Sequence, residues 1–178
     1  MTGKNYIGNE LKAEGTVKFR TFNPKTNTEN DQIFTEATDV EIKEAASLAE
    51  EAVMEFRSMS GERKGAFLDA IADEILALDD ALVNVYMNES GLPEGRAKGE
   101  RGRTIFQLRT FAELVREGSW VEARIDTAIP DRTPAPKVDL RKMMIGLGPI
   151  VVFGASNFPL AYSTAGGDTA SALAAGCP

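Results

Sequence analysis

The sequence predicts an α/β chain, and three patterns carry that prediction. Apolar residues alternate with polar ones near the amino terminus and recur at three- and four-residue steps through the middle. They then run uninterrupted at Ile150-Val151-Val152-Phe153, ahead of a glycine-bearing loop and a small-residue helical stretch. Alternation suits half-buried strands and the 3.6-residue step suits amphipathic helices. A continuous apolar run suits a strand buried on both faces beside parallel neighbours. The chain has 178 residues, 43% of them apolar, which is enough for one domain with a core.

In chain order, Val17, Phe19 and Thr21 alternate with Lys18, Arg20 and Phe22, and the cluster Asn23-Pro24-Lys25-Thr26-Asn27 turns the chain, so a hairpin is expected. Thr38 and Glu41 have capping-box spacing and open a first helix, with Ile42, Ala45, Ala49, Ala52, Val53 and Phe56 on its apolar stripe. Glu41, Lys43, Glu44, Glu50, Glu51 and Glu55 are expected on its solvated face. A second helix runs from about Glu62 through Phe67, Ile71, Ile75, Leu78 and Leu82, bends near Asp79-Asp80, and ends at Gly91. Pro93 opens a third, with Ile105, Leu108, Phe111, Ala112 and Val115 inward and Gly118 as the stop. Val121, Ala123 and Ile125 then alternate, and a connector from Pro130 to Pro136 leads to a second extended segment, Asp139 to Leu147. Its mixed polarity suits an edge or an arm reaching another subunit. After the buried strand at Ile150 to Phe153, a helix from about Leu160 to Ala175 is expected. The divisions are 1–118, 119–148 and 149–178, and one parallel strand without its neighbour reads as the front part of a longer protein.

Composition excludes several functions. Lys and Arg total 20 against 27 Asp and Glu, a formal net charge of -7, which gives no basic face for nucleic acid or anionic lipid. Histidine is absent and cysteine occurs once, so neither a Ser-His-Asp triad nor a four-ligand Cys/His zinc site can be built, and no metal is expected. The amino terminus lacks the features of a secretory signal. The stretch Ile145 to Ala155 is too short to span a bilayer and is broken by Gly146, Gly148, Pro149 and Gly154, so a cytoplasmic location is expected. Gly146-Leu147-Gly148 precedes the apolar strand instead of following it, which makes it a bend and not a dinucleotide fingerprint.

The stretch Gly148-Pro-Ile-Val-Val-Phe-Gly-Ala-Ser-Asn-Phe-Pro-Leu160, followed by Ala165-Gly-Gly-Asp-Thr-Ala-Ser-Ala-Leu-Ala-Ala-Gly-Cys-Pro178, resembles the aldehyde dehydrogenase superfamily. So does the order of elements: hairpin, three helices, two-strand arm, first nucleotide-domain strand. The resemblance implies the amino-terminal part of that fold, ending in the first strand and helix of a Rossmann-like nucleotide domain. Phe153-Gly-Ala-Ser-Asn-Phe-Pro with Gly166-Gly-Asp-Thr169, and Gly102-Arg-Thr with Gln107-Leu-Arg109, are similar to the 2,5-dioxopentanoate (α-ketoglutarate semialdehyde) dehydrogenase subgroup.

The resemblance implies oxidation of an aldehyde to an acid with NAD or NADP, through a thiohemiacetal and a thioester, in a homo-oligomer. Asn157 matches the asparagine whose side-chain amide supplies half of the oxyanion hole; an amide suits that task because it donates without titrating. Phe153, Gly154, Ala155 and Ser156 match the segment along the nicotinamide-ribose side of the cofactor, with Ser156 standing where many members have tryptophan. Arg103 and Phe158 match positions lining the substrate tunnel. A dicarboxylic semialdehyde needs a cation for its distal carboxylate, and Arg109 is the alternative to Arg103. Cys177, with no nearby base, is a small buried residue and not the nucleophile. By the resemblance, the nucleophilic cysteine, the general-base glutamate and the ribose-binding lysine fall beyond Pro178, so the chain alone is expected to be inactive. The competing expectations are another aldehyde or semialdehyde dehydrogenase of the same superfamily and a truncated non-catalytic helical protein that associates through its arm.

Overall fold

The computed structural model describes residues 2–178. Two antiparallel hairpins open the chain, β1 (Asn5–Ile7) with β2 (Glu10–Lys12) and β3 (Lys18–Asn23) with β4 (Thr28–Thr35). The expected hairpin is the second; the first is too short to show as alternation. Asn23 makes the turn because its side-chain oxygen accepts the Lys25 amide at 3.0 Å, an Asx turn that needs no distant partner. Phe19 and Phe34 stack across the pair with ring centroids 5.6 Å apart.

Four helices follow: α1 (Asp39–Ser58), α2 (Gly61–Ala77), α3 (Asp79–Ser90) and α4 (Glu94–Glu117). The expected capping box forms in full. Glu41, however, is buried and not on the solvated face, because its carboxylate accepts from the Thr38 N–H, the Thr38 hydroxyl and the Glu14 N–H. Ile42 and Ala45 are exposed instead, because the first turns of α1 meet the amino-terminal strands through Glu41 and Glu44. The bend near Asp79 is a break at Leu78 that divides the second helix into α2 and α3. Left-handed glycines at Gly91 and Gly118 end α3 and α4 as their positions foretold.

The core lies where α2, α4 and α5 (Gly167–Ala175) meet, around Leu68, Ala72, Ile105, Leu108, Ala112, Val115, Ala170 and Ala174. Ile71 and Ile75 of the predicted stripe pack against this core, but the centre of the α2 face is Leu68 and Ala72, fully buried, and Phe67 is 45% exposed against Phe56. Small residues explain the shift. A Cβ at Gly61 would collide with the Val115 carbonyl and one at Gly65 would come within 2.9 Å of the Ala112 carbonyl, so the glycine side of α2 is the side that approaches α4.

The arm is β5 (Arg124–Asp126) paired antiparallel with β6 (Leu140–Lys142), both exposed. Trp120 and Val121 form a short 3₁₀ turn instead of strand, driven by Gly118 at positive φ. The chain bends at Gly148, as expected. Ile150 to Phe153 is not a strand in this chain. The Ile150 N–H reaches the Pro178 carbonyl at 3.0 Å, a single rung, and no other strand lies beside it among the described residues. Val151 and Phe153 are consequently 78% and 85% exposed. The last helix starts at Gly167, later than expected, because residues 155–166 are held in turns.

Candidate active site

The first half of α4 presents Arg96, Glu100 and Arg103 at helical steps of four and three, beneath the loop that leads to α5. Pro93 and the Gly91 cap fix where α4 begins, and α3 brings Tyr86 against the same face. Within the loop the Ala155 N–H donates to the Tyr162 carbonyl at 2.7 Å, the Phe158 N–H to the Ala155 carbonyl at 3.3 Å and the Gly167 N–H to the Ala161 carbonyl at 3.2 Å. Gly166 is required there, since a Cβ would collide with the Ala161 carbonyl.

Glu100, 4% exposed, joins helix and loop. One carboxylate oxygen accepts from the Tyr86 hydroxyl and the Arg96 Nε–H, both at 2.8 Å, and the other from the Leu160 and Ala161 N–H groups at 3.2 and 3.4 Å. Burial alone would raise its pKa, but the four hydrogen bonds outweigh burial and hold it below the usual carboxylate range. Burial, reinforced by the carboxylate partner, pushes the Tyr86 phenol up to about 12, so it stays a donor at working pH.

Arg96 continues the chain of contacts. It donates to the Asn157 carbonyl at 3.2 Å and lies 4.6 Å from the Phe158 ring centroid. Arg103 donates to the Tyr162 hydroxyl at 2.6 Å and faces the Tyr162 and Phe158 rings at 4.9 and 5.7 Å, the two rings packing edge to face. Two guanidinium groups thus flank one aromatic pair next to Asn157, whose own side chain is exposed. The loop thus sets an exposed asparagine next in sequence to a cluster of two guanidinium groups and two aromatic rings.

Of the residues singled out from sequence, Asn157, Phe158 and Arg103 are brought together. Arg109 is not: it pairs with Asp73 of α2 at 2.9 Å. Phe153, Gly154 and Ser156 are exposed along the loop entry, with Ala155 partly covered. Ser156 borders a cavity of about 530 Å³ between β3, α3 and the loop. Cys177 is buried past the far end of α5 near Lys64, whose pKa burial lowers. Tyr86, Arg96, Glu100 and Tyr162 were missed. A signal existed for Glu100, a charged residue in line with Ala97, Thr104 and Leu108 on the buried stripe of α4.

Residues 11–178 match the aldehyde dehydrogenase family, and the chain belongs to that family. It is 51% identical along its whole length to alpha-ketoglutaric semialdehyde dehydrogenase 2 of Azospirillum brasilense, of which it covers 34%. Over 98% of its length it is 46% identical to alpha-ketoglutaric semialdehyde dehydrogenase of Acinetobacter baylyi, covering 33% of that protein. The chain therefore spans about a third of the length of the curated relatives it matches. Among solved structures, aldehyde dehydrogenase 21 from Physcomitrella patens, in complex with the reaction product succinate, superposes with a TM-score of 0.83 at 22% identity. That match covers 98% of this chain and 35% of that one. Succinate-semialdehyde dehydrogenase from Burkholderia pseudomallei gives 0.76 at 28% identity, over 98% of this chain and 34% of that one. The α/β architecture is that of the amino-terminal portion of aldehyde dehydrogenases. Among the described residues no helix is long and apolar enough to cross a membrane.

Proposed function

We propose that this chain carries the oxyanion and substrate-entry side of an NAD- or NADP-dependent aldehyde dehydrogenase that oxidises 2,5-dioxopentanoate to 2-oxoglutarate. The observation that carries the reading is the exposed Asn157 amide beside the Arg96, Arg103, Phe158 and Tyr162 cluster, together with the identity to relatives named for that semialdehyde. When a thiolate adds to the aldehyde carbon, the C–S bond forms and the carbonyl electron pair moves to oxygen. The Asn157 N–H donates to that oxygen as its charge develops. Arg103 holds the distal carboxylate and Phe158 excludes water from the approach. By the family pattern the attacking cysteine and the general-base glutamate lie outside these residues, and Cys177 has no part in the chemistry.

The loop entry fits a nicotinamide cofactor. Gly154, Ala155 and Ser156 are small enough for a ribose to lie against them. Phe153, Gly154, Ala155 and Ser156 are the residues that would hold it; when bound, it supplies the hydride acceptor. The exposed arm, with Ile125, Ile129, Val138 and Leu140 open, serves association with a second copy of the chain. Turnover is the test. An enzyme-length polypeptide of the family carrying these residues should reduce NAD or NADP with 2,5-dioxopentanoate, and the 178-residue chain alone should not. Turnover by the chain alone that Cys177→Ala abolishes would reassign the nucleophile, and no turnover of this semialdehyde by the longer polypeptide would reject the substrate.

A further inference from the structure

We propose that Glu100 is a positioning residue for the loop that carries Asn157. Its catalytic consequence rests on the oxyanion reading of Asn157, whereas its hold on the loop does not. A buried carboxylate is costly unless its lone pairs are filled, and Glu100 fills them with four donors from three places: Tyr86 on α3, Arg96 on α4, and the Leu160 and Ala161 amides of the loop. Only an acceptor-only group can take donors from all of these directions at once. The loop needs this acceptor because Ala161 is fully buried, so its amide cannot turn to water.

Asn157 is thereby tied to one carboxylate from two sides. Downstream, Glu100 holds Leu160 and Ala161 directly. From below, Glu100 orients the Arg96 guanidinium that bonds the Asn157 carbonyl. An oxyanion donor displaced by an ångström loses about 10²-fold in rate, so a fixed anchor beneath the loop has a direct catalytic effect.

Hydrogen exchange of the chain tests the anchor. Glu100→Gln keeps the side-chain volume but presents an NH₂ group where donors already converge, and should speed exchange at the Leu160 and Ala161 amides by about tenfold or more while the amides of Leu68 and Leu108 are unchanged. Unchanged rates at Leu160 and Ala161 in a folded variant would overturn it. Should Glu100→Gln fail to fold, Tyr86→Phe removes one donor and leaves the charge compensated; a smaller acceleration at the same two amides is expected, and none would overturn the proposal. In an enzyme-length family polypeptide carrying these residues, Glu100→Gln should lower kcat by about tenfold or more with KM within about twofold. It should lower kcat no further when added to Asn157→Ala. A full additive loss in the double variant rejects action through Asn157. If Asn157→Ala alone leaves kcat intact, the oxyanion reading fails and the catalytic half of the proposal with it, while the exchange rates still decide the anchor.

Discussion

Arg103 has two partners in prospect, the Tyr162 hydroxyl it already bonds and the substrate carboxylate it is proposed to hold. A carboxylate grip acts on ground and transition states alike. Arg103→Ala should therefore raise KM for the semialdehyde by roughly 10- to 100-fold, the loss of about 1.5–3 kcal/mol in charge-assisted hydrogen bonding, with an uncharged aldehyde affected about twofold at most. Equal losses for both aldehydes in steady-state kinetics would confine Arg103 to holding Tyr162. Glu100 gives a pH dependence whose sign follows from its depressed pKa. The group stabilises the fold above its unfolded value, near 4.5, and that contribution is lost as pH falls through the lower folded value. The difference in urea midpoint between the parent chain and Glu100→Gln should shrink as pH falls below about 4.5; a gap that widens in acid would contradict it. That Asn157, Phe158 and Arg103 come close together could be expected from a motif and a helical position, while their proposed roles rest on the kinetic tests. Glu100 was marked only by its helical register with Ala97, Thr104 and Leu108, a signal easily masked by the arginines around it.

Local signals placed the elements well. The Thr38–Glu41 box, the Asn23 turn and the glycines at 91 and 118 act within a few residues, so they operate whatever surrounds them. Thr38→Ala should cost about 1 kcal/mol of stability by loss of the cap. The failures are non-local. Ile150 to Phe153 has the composition of a buried strand but acquires one rung, and the stretch after Leu160 stays in turns because Glu100 and the loop's own carbonyls take its amides. Ile71 and Ile75 do reach the core, but its centre on α2 falls at Leu68 and Ala72 because the stripe could not show which side carries Gly61 and Gly65 against α4. Paired truncations check that register. Leu68→Ala should cost about 2–5 kcal/mol in denaturant unfolding, and Phe67→Ala, losing only a half-exposed edge-to-face contact with Phe56, about 1 kcal/mol. The reverse order would place Phe67 in the core.

At the scale of the molecule, Ile145, Leu147, Ile150, Val151 and Phe153 form an exposed apolar strip continuous with the arm. Surfaces of this kind bury themselves against further polypeptide, and in the 178-residue chain alone that polypeptide is another copy. The chain of 19.2 kDa should sediment with an apparent mass that rises with concentration, and a single monomer boundary at high concentration would remove the case for association. Sequence alone did not reveal how two helices and a distant loop converge on one carboxylate.

On the proposed reading, the loop above Glu100 holds the Asn157 amide where negative charge develops. The most direct test of this is kcat of Asn157→Ala in an enzyme-length family polypeptide carrying these residues, measured where the chemical step limits turnover. A loss of about 10²–10³, or roughly 2.7–4 kcal/mol, with the fold intact by circular dichroism is the expected result. An unchanged kcat would contradict it.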